Sequence, residues 1–191
     1  MKSIILASQS PRRKELLSLL DLEFTVEVKS IDEIFPKDLK TSKVAEYLAE
    51  LKASAFTNIK DDQVIITADT VVILNDTILG KPKDKAEAKE MLHRLSNRSH
   101  DVITGVCLKS AQKISTFSSS TKVYFRDLTD AEIDYYIENY KPYDKAGSYG
   151  IQEWIGAIGI TKIEGSYFNV VGLPIQELNE QLKKFSTILS D

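Results

Sequence analysis

The chain has 191 residues, 42% of them hydrophobic and 28% charged, with a formal net charge of −3. That apolar content excludes intrinsic disorder, and the slight acidic excess excludes a surface built to coat nucleic acid. The single cysteine, Cys107, excludes an intrachain disulfide and a thiolate zinc cluster, and it fits a reducing compartment.

A globular chain of this length buries roughly 70% of its unfolded surface and needs no covalent staples. The apolar run at residues 4–7 is too short for a secretory leader, and no stretch approaches the roughly 20 apolar residues of a membrane span. A cytoplasmic protein with no membrane partner is expected. No repeat or linker interrupts residues 1–191, which read as a single domain.

Residues 4–7 read as a buried strand. Ser10-Pro11 follows as an N-cap with proline at the first helical position, ahead of Leu16, Leu17 and Leu20. The alternation of Phe24, Val26 and Val28 predicts a strand over 24–28. A charged loop with Asp32 and Glu33 comes next. Val44, Tyr47, Leu48, Leu51 and Ala55 then recur at helical spacing. Residues 64–68 and 71–74 read as two strands with Asp69-Thr70 between them, and Asn75-Asp76 as a tight turn into 77–79.

Asp84 and Glu87 stand at capping-box spacing before Ala88, Met91, Leu92 and Leu95, as do Thr129 and Glu132 before Ile133, Tyr136, Ile137 and Tyr140. Residues 101–108 and 114–125 read as strands joined around Ala111-Gln112. Residues 147–172 are punctuated by glycine, and Pro174 opens a last helix through Leu178, Leu182 and Phe185. Strands alternating with helices, and a hairpin-rich middle, predict an α/β protein with a mixed sheet.

Chemistry concentrates in three places. At Leu6-Ala7-Ser8-Gln9-Ser10-Pro11-Arg12-Arg13 a strand gives way to a helix. Free N–H groups, two hydroxyls and two guanidinium groups there make a phosphate cradle. Arginine in a first turn opposes the helix dipole, so it asks for an anion. The plain alternative is a capped helix with solvated arginines. No Walker-A loop or Gly-x-Gly-x-x-Gly accompanies the segment. At Thr67-Ala68-Asp69-Thr70 a carboxylate ends an apolar strand, where α/β proteins place their sites. It can hold Mg²⁺ or orient a water, with Glu33 as a further hard ligand. At Gly80-Lys81-Pro82 a lysine leaves a tight turn and can neutralise phosphate, and Lys52 can point into the same region. Taken singly, Asp69 also reads as a turn-former, and Glu33, Lys52 and Lys81 as solvated charges.

His93, His100 and Cys107 form no nucleophile constellation. His100 reads as a structural hydrogen-bonding residue and Cys107 as a small core residue. Tyr149 and Trp154, which flank Gln152, fit either base stacking or core packing.

These segments resemble the Maf family of nucleoside triphosphate pyrophosphatases. The resemblance includes Val71-Val72, Thr104-Gly105-Val106, Asp144-Lys145-Ala146-Gly147-Ser148-Tyr149-Gly150-Ile151-Gln152 and Gly165-Ser166-Tyr167-Phe168-Asn169-Val170-Val171-Gly172-Leu173-Pro174, in the family's order. One mild departure stands at Ser99-His100-Asp101-Val102-Ile103-Thr104-Gly105, where the family pattern opens with threonine. The resemblance implies a twisted mixed sheet flanked by helices, in two lobes around a deep cleft, as in the inosine-triphosphatase-like fold. It implies hydrolysis of a nucleoside triphosphate to monophosphate and pyrophosphate with Mg²⁺ or Mn²⁺, and a homodimer. Asp69 matches the proton acceptor. Ser8, Ser10, Arg12, Arg13, Glu33, Lys52 and Lys81 match polar cleft residues. Arg12, Thr70 and Gln152 match the positions that select dTTP and UTP. The rival readings are a purine or modified-guanine triphosphate pyrophosphatase, and a non-catalytic regulator of septum formation and cell division.

Overall fold

A computed structural model of the chain describes residues 3–187. In chain order its elements are β1 (Ser3–Leu6), α1 (Pro11–Ser18), β2 (Phe24–Val26), α2 (Thr41–Ser54), β3 (Gln63–Leu74), β4 (Thr77–Leu79), α3 (Lys85–Leu95), β5 (Ser99–Lys109), β6 (Ile114–Phe125), α4 (Asp130–Tyr140), α5 (Trp154–Gly159), β7 (Ile160–Glu164), α6 (Tyr167–Val171) and α7 (Ile175–Thr187), with a 3-10 turn at Ala146–Ser148. The seven strands form one sheet in the order β2-β1-β3-β5-β6-β7, with β4 beside β3 off this path. β1 pairs parallel with β2 and β3, whereas β3–β4 and β6–β7 are antiparallel. This is the mixed α/β sheet that the alternation of elements predicted.

The chain divides into two compact units. The first comprises Met1–Asp69, Thr104–Ser119 and Gly172–Asp191, and the second Thr70–Ile103 and Ser120–Val171. Each has its own apolar interior. In the first, Ala49, Ala53 and Cys107 cluster, and Ile5, Ala7, Phe56 and Ile65 form another group. In the second, Val72, Leu92, Val123, Ile133, Tyr136 and Ile155 belong to a larger core.

The helix caps formed where the sequence placed them. Ser10 accepts from the Arg13 N–H, and Thr129 and Glu132 complete a reciprocal capping box. At α3 the box is only half made: Asp84 accepts from the Glu87 N–H, but the Glu87 carboxylate accepts from the Lys83 N–H instead.

Other expectations change. Strand β2 ends at Val26, short of 28, where its pairing with β1 ends opposite Leu6. Helix α1 stops at Ser18, short of Leu20, because the Leu19 and Leu20 N–H groups turn back to the Leu16 and Leu17 carbonyls. Strands 64–68 and 71–74 are one twelve-residue strand, so Asp69 and Thr70 lie mid-strand instead of at a strand end. Its two ends are paired, residues 63–66 with β1 and 72–74 with β4, and β5 is its neighbour on the sheet path. The glycine-punctuated region contains α5, β7 and α6, three elements too short for periodicity to reveal.

His100 is buried, with Nε2 2.7 Å from the Tyr149 hydroxyl and Phe125 stacked beside the ring. Burial pushes its pKa down to about 4. A histidine that stays neutral when folded but ionises near 6.5 when unfolded favours the folded state at neutral pH. That advantage is lost as pH falls from about 6.5 towards 4, by up to about 3 kcal/mol. Urea unfolding at pH 7 and pH 4.5 should show this loss, and His100→Gln should show a smaller one. Equal slopes in both proteins would remove His100 as the cause.

Candidate active site

The first unit gathers seven of the residues singled out from the sequence. Beyond the Ala7 N–H, which bonds the Ile66 carbonyl, the chain leaves β1 and turns into α1. Buried Ser8 directs its Oγ at this turn, where it accepts from the Ser10 N–H at 3.3 Å and from Arg13 Nη1 at 3.4 Å. Arg13 also donates from Nε to the Gly172 carbonyl and from Nη1 to the Ala68 carbonyl, both at 2.8 Å. Burial lowers its pKa from the ordinary arginine value and Arg12 adds to that push, while the Asp69 and Glu33 carboxylates oppose it. The compensation that a first-turn arginine needs is thus supplied at Arg13 by the protein's own carbonyls and carboxylates. Arg13 braces the residue before Asp69. Arg12, its neighbour in the first turn, is partly buried.

Strand and helix periodicities set the central pair. Residues i and i+2 of a strand share a face, and residues i and i+3 of a helix share a side. Thr67 and Asp69 accordingly both meet α2: the Thr67 hydroxyl donates to the Ala49 carbonyl at 2.6 Å, and Asp69 accepts from Lys52. Lys52 Nζ lies 2.5 Å from Asp69 Oδ1 and 3.2 Å from Glu33 Oε1. Asp69 is buried, whereas Glu33 reaches in from the exposed loop before α2. The small faces of Ala45, Ala49 and Ala53 let the helix approach closely, which is what brings a lysine at its last turn onto the strand.

Asp69 and Glu33 converge on one ammonium, so a cation is already accommodated between them. Among the described residues no group of three or more His, Cys, Asp or Glu could enclose a metal ion. Two carboxylates suit Mg²⁺, which keeps waters and takes further oxygens from a substrate phosphate; they do not suit a metal that needs a protein cage.

Thr70, Lys81 and Gln152 belong to the second unit. Lys81 is exposed in the turn after β4, and the neighbouring Gly80 carbonyl accepts from the Gly147 N–H at 3.1 Å. Gly147 adopts φ +68 against the Val72 side chain, where a Cβ would come within 3.0 Å of Val72 Cγ1. This turn joins the Lys81 loop to the loop bearing Gln152, and Val72 lies two residues from Thr70. Gln152 is exposed in a turn closed by the Glu153 N–H on the Gly150 carbonyl at 3.0 Å. Tyr149 is a core residue, and Trp154 packs on Tyr135 with ring centroids 4.8 Å apart. The sequence reading passed over Tyr136 as a bonding group, and over Lys145 and Glu153. All three brace the Gln152 turn. The helical spacing of Tyr136 pointed only to its ring, and an acid–base pair eight residues apart in a loop carries no periodic signal.

In the segment from Gly165, Gly172 receives Arg13 as described above, and Asn169 serves packing. Asn169 is buried and donates to the Val102 carbonyl and to Thr121 Oγ1, both at 2.9 Å. His93 makes an exposed pairing with Asp130 at 3.4 Å, and Cys107 is buried with its thiol pKa raised by that burial.

Comparison with known proteins gives a consistent picture. The dTTP/UTP pyrophosphatase of Flavobacterium psychrophilum is 54% identical over 92% of this chain and 90% of its own length. The protein of the same name from Porphyromonas gingivalis is 54% identical over 95% of this chain and 94% of its own. A solved structure of a HAM1 protein from Coxiella burnetii aligns at 20% identity and a TM-score of 0.45, covering 65% of this chain and 73% of that one. The family described as Maf-like protein matches residues 3–185. With its serine–arginine turn, its Asp69–Lys52–Glu33 cluster and this match from β1 into α7, the chain belongs to the Maf-like protein family.

Proposed function

We propose that this protein is a nucleoside triphosphate pyrophosphatase that hydrolyses dTTP and UTP to the monophosphate and pyrophosphate, a cytoplasmic nucleotide-pool house-cleaning activity. The observation that carries this reading is the buried Asp69 carboxylate held by Lys52 beside Glu33, next to a helix N-terminus bearing Ser8, Ser10, Arg12 and Arg13.

Ser8 and Ser10 donate hydrogen bonds to the triphosphate, and Arg12, Arg13, Lys52 and Lys81 offset its charge. Asp69 orients the attacking water and accepts its proton. The water oxygen bonds to the α-phosphorus as the bond to the bridging oxygen breaks, and pyrophosphate leaves. Asp69 and Glu33 are the residues that would hold Mg²⁺ or Mn²⁺, which when bound polarises phosphate oxygens. Charge stabilisation and positioning then carry most of the rate enhancement.

Arg12, Thr70 and Gln152 select the base. A pyrimidine 2,4-dione presents two carbonyl acceptors flanking an N–H donor. Gln152 offers both an amide donor and an acceptor, while Thr70 and Arg12 add donors. Cytosine replaces one acceptor with an amino donor, which would face a donor and stay unpaired. Sites built on hydrogen bonds reject such mispairing strongly.

The test is a panel of dTTP, UTP, CTP and GTP with pyrophosphate detection, with Mg²⁺ and with EDTA. We expect dTTP and UTP to lead CTP and GTP by at least about tenfold in kcat/KM. EDTA should stop turnover and added Mg²⁺ or Mn²⁺ should restore it. A preference for GTP would favour a purine triphosphatase, and no pyrophosphate from any nucleotide would favour a non-catalytic role in cell division.

A further inference from the structure

Gln152 is exposed, but the turn that carries it is tied to a buried polar network in the second unit. The Tyr136 hydroxyl projects from α4, with its ring fully buried, and donates to Glu153 Oε2. The same hydroxyl accepts from the Gly150 N–H at 3.0 Å. Glu153 Oε1 lies 3.0 Å from Lys145 Nζ, which also meets Asp144 at 2.7 Å. Lys145 is itself buried. Burial and the Glu153 carboxylate both raise the Tyr136 pKa far above the ordinary value, so the hydroxyl stays protonated and donates. Both ends of the Gly150–Gln152 step are therefore pinned: Gly150 by the tyrosine and Glu153 by the tyrosine and the lysine together.

The packing at Gly150 adds an independent constraint. A Cβ there would lie 2.9 Å from Glu153 Cδ and 3.0 Å from Gln152 Nε2. The Gln152 amide and the Glu153 carboxylate thus both approach the face of Gly150 where a side chain would stand. An exposed glutamine on an untethered turn would sample many rotamers and discriminate poorly, because each hydrogen bond would first have to order the side chain.

We propose that Tyr136, Glu153 and Lys145 are positioning residues that fix the Gln152 turn and so set the enzyme's discrimination between pyrimidine bases. The proposal rests on the assignment of Gln152 to base selection made above. None of the three touches the reacting atoms, and their effect is transmitted through the turn backbone.

The experiment compares kcat/KM for UTP and CTP in the wild type, Gln152→Glu, Tyr136→Phe and Gly150→Ala, with circular dichroism to confirm folding. A general loss of stability lowers both substrates together, whereas a displaced Gln152 changes their ratio. We expect the UTP-to-CTP ratio to fall about tenfold in Gln152→Glu and by a comparable factor in Tyr136→Phe and Gly150→Ala. A ratio that falls in Gln152→Glu but holds at the wild-type value in folded Tyr136→Phe and Gly150→Ala would overturn the positioning role and leave base selection by Gln152 intact. A ratio unchanged in Gln152→Glu would overturn that assignment and the positioning role with it. Should Tyr136→Phe fail to fold, Glu153→Gln decides, since it removes the ion pair with Lys145 and leaves Gln152 itself unchanged.

Discussion

Asp69→Asn is expected to lower kcat for dTTP by at least about 10²-fold, the usual contribution of a positioned general base. The amide is nearly isosteric, so mid-strand packing and β3 pairing should survive. What is lost is the charge. An amide cannot accept the water's proton, is a poor ligand for a hard cation, and leaves Lys52 with Glu33 as its remaining carboxylate partner at 3.2 Å. Initial-rate pyrophosphate release, with circular dichroism as a folding control, makes the measurement. Wild-type turnover in a folded Asp69→Asn protein would remove Asp69 from the centre of the mechanism. Glu33→Gln should have the smaller effect, because Glu33 is half exposed and sits on a loop that water can replace.

Gly105→Ala is expected to destabilise the first unit by about 3 kcal/mol, at the upper end of overpacking costs. Gly105 lies in β5 directly beneath α2. A Cβ there would lie 2.3 Å from the Ala45 carbonyl carbon and 2.4 Å from both the Ala45 oxygen and the Glu46 nitrogen. All three atoms are backbone, so no rotamer change relieves the clash and the helix must move. That movement would strain the Thr67–Ala49 hydrogen bond and the Ser118–Glu46 bond, and would carry Lys52 away from Asp69. A melting-temperature drop of roughly 10 °C should accompany it, together with reduced turnover well below the transition. Gly80→Ala serves as the stability control, because no atom beyond the adjoining residues lies within 4 Å of the added Cβ. Equal melting temperatures for wild type and Gly105→Ala would contradict the close helix–strand contact.

Local signals in the sequence were sufficient to place the starts of α1, α3, α4 and α7, the strands β5 and β6, and the α/β class. Ser10, Asp84 and Thr129 were legible as caps because a cap is a contact between residues three apart. The faces of α3 and α4 were legible because burial on a helix repeats with the helical period, whereas α2 turns Ala45, Ala49 and Ala53 inward beside Val44 and Leu48 and leaves Tyr47 and Leu51 half-buried. The serine–arginine turn, Asp69, Lys52 and Glu33 could be singled out as chemistry, and the order of the family's segments tied them to one family.

Only the tertiary structure decided what each of those groups faces. Asp69 lies within a continuous strand because β1 and β5, both distant in sequence, flank β3 together with the adjoining β4. Arg13 spends Nε and Nη1 on the Gly172 and Ala68 carbonyls, acceptors 159 and 55 residues away. The glycine at 105 was visible as part of a motif, but its need for an absent Cβ appears only once α2 lies against β5. The Tyr136 ring could be assigned to the core from its spacing, yet its hydroxyl's task required α4 and the Gln152 turn to be brought together. Periodicity and capping report forces along the chain; hydrogen bonds, ion pairs and close contacts between distant segments depend on how the chain returns on itself, and no local pattern encodes them.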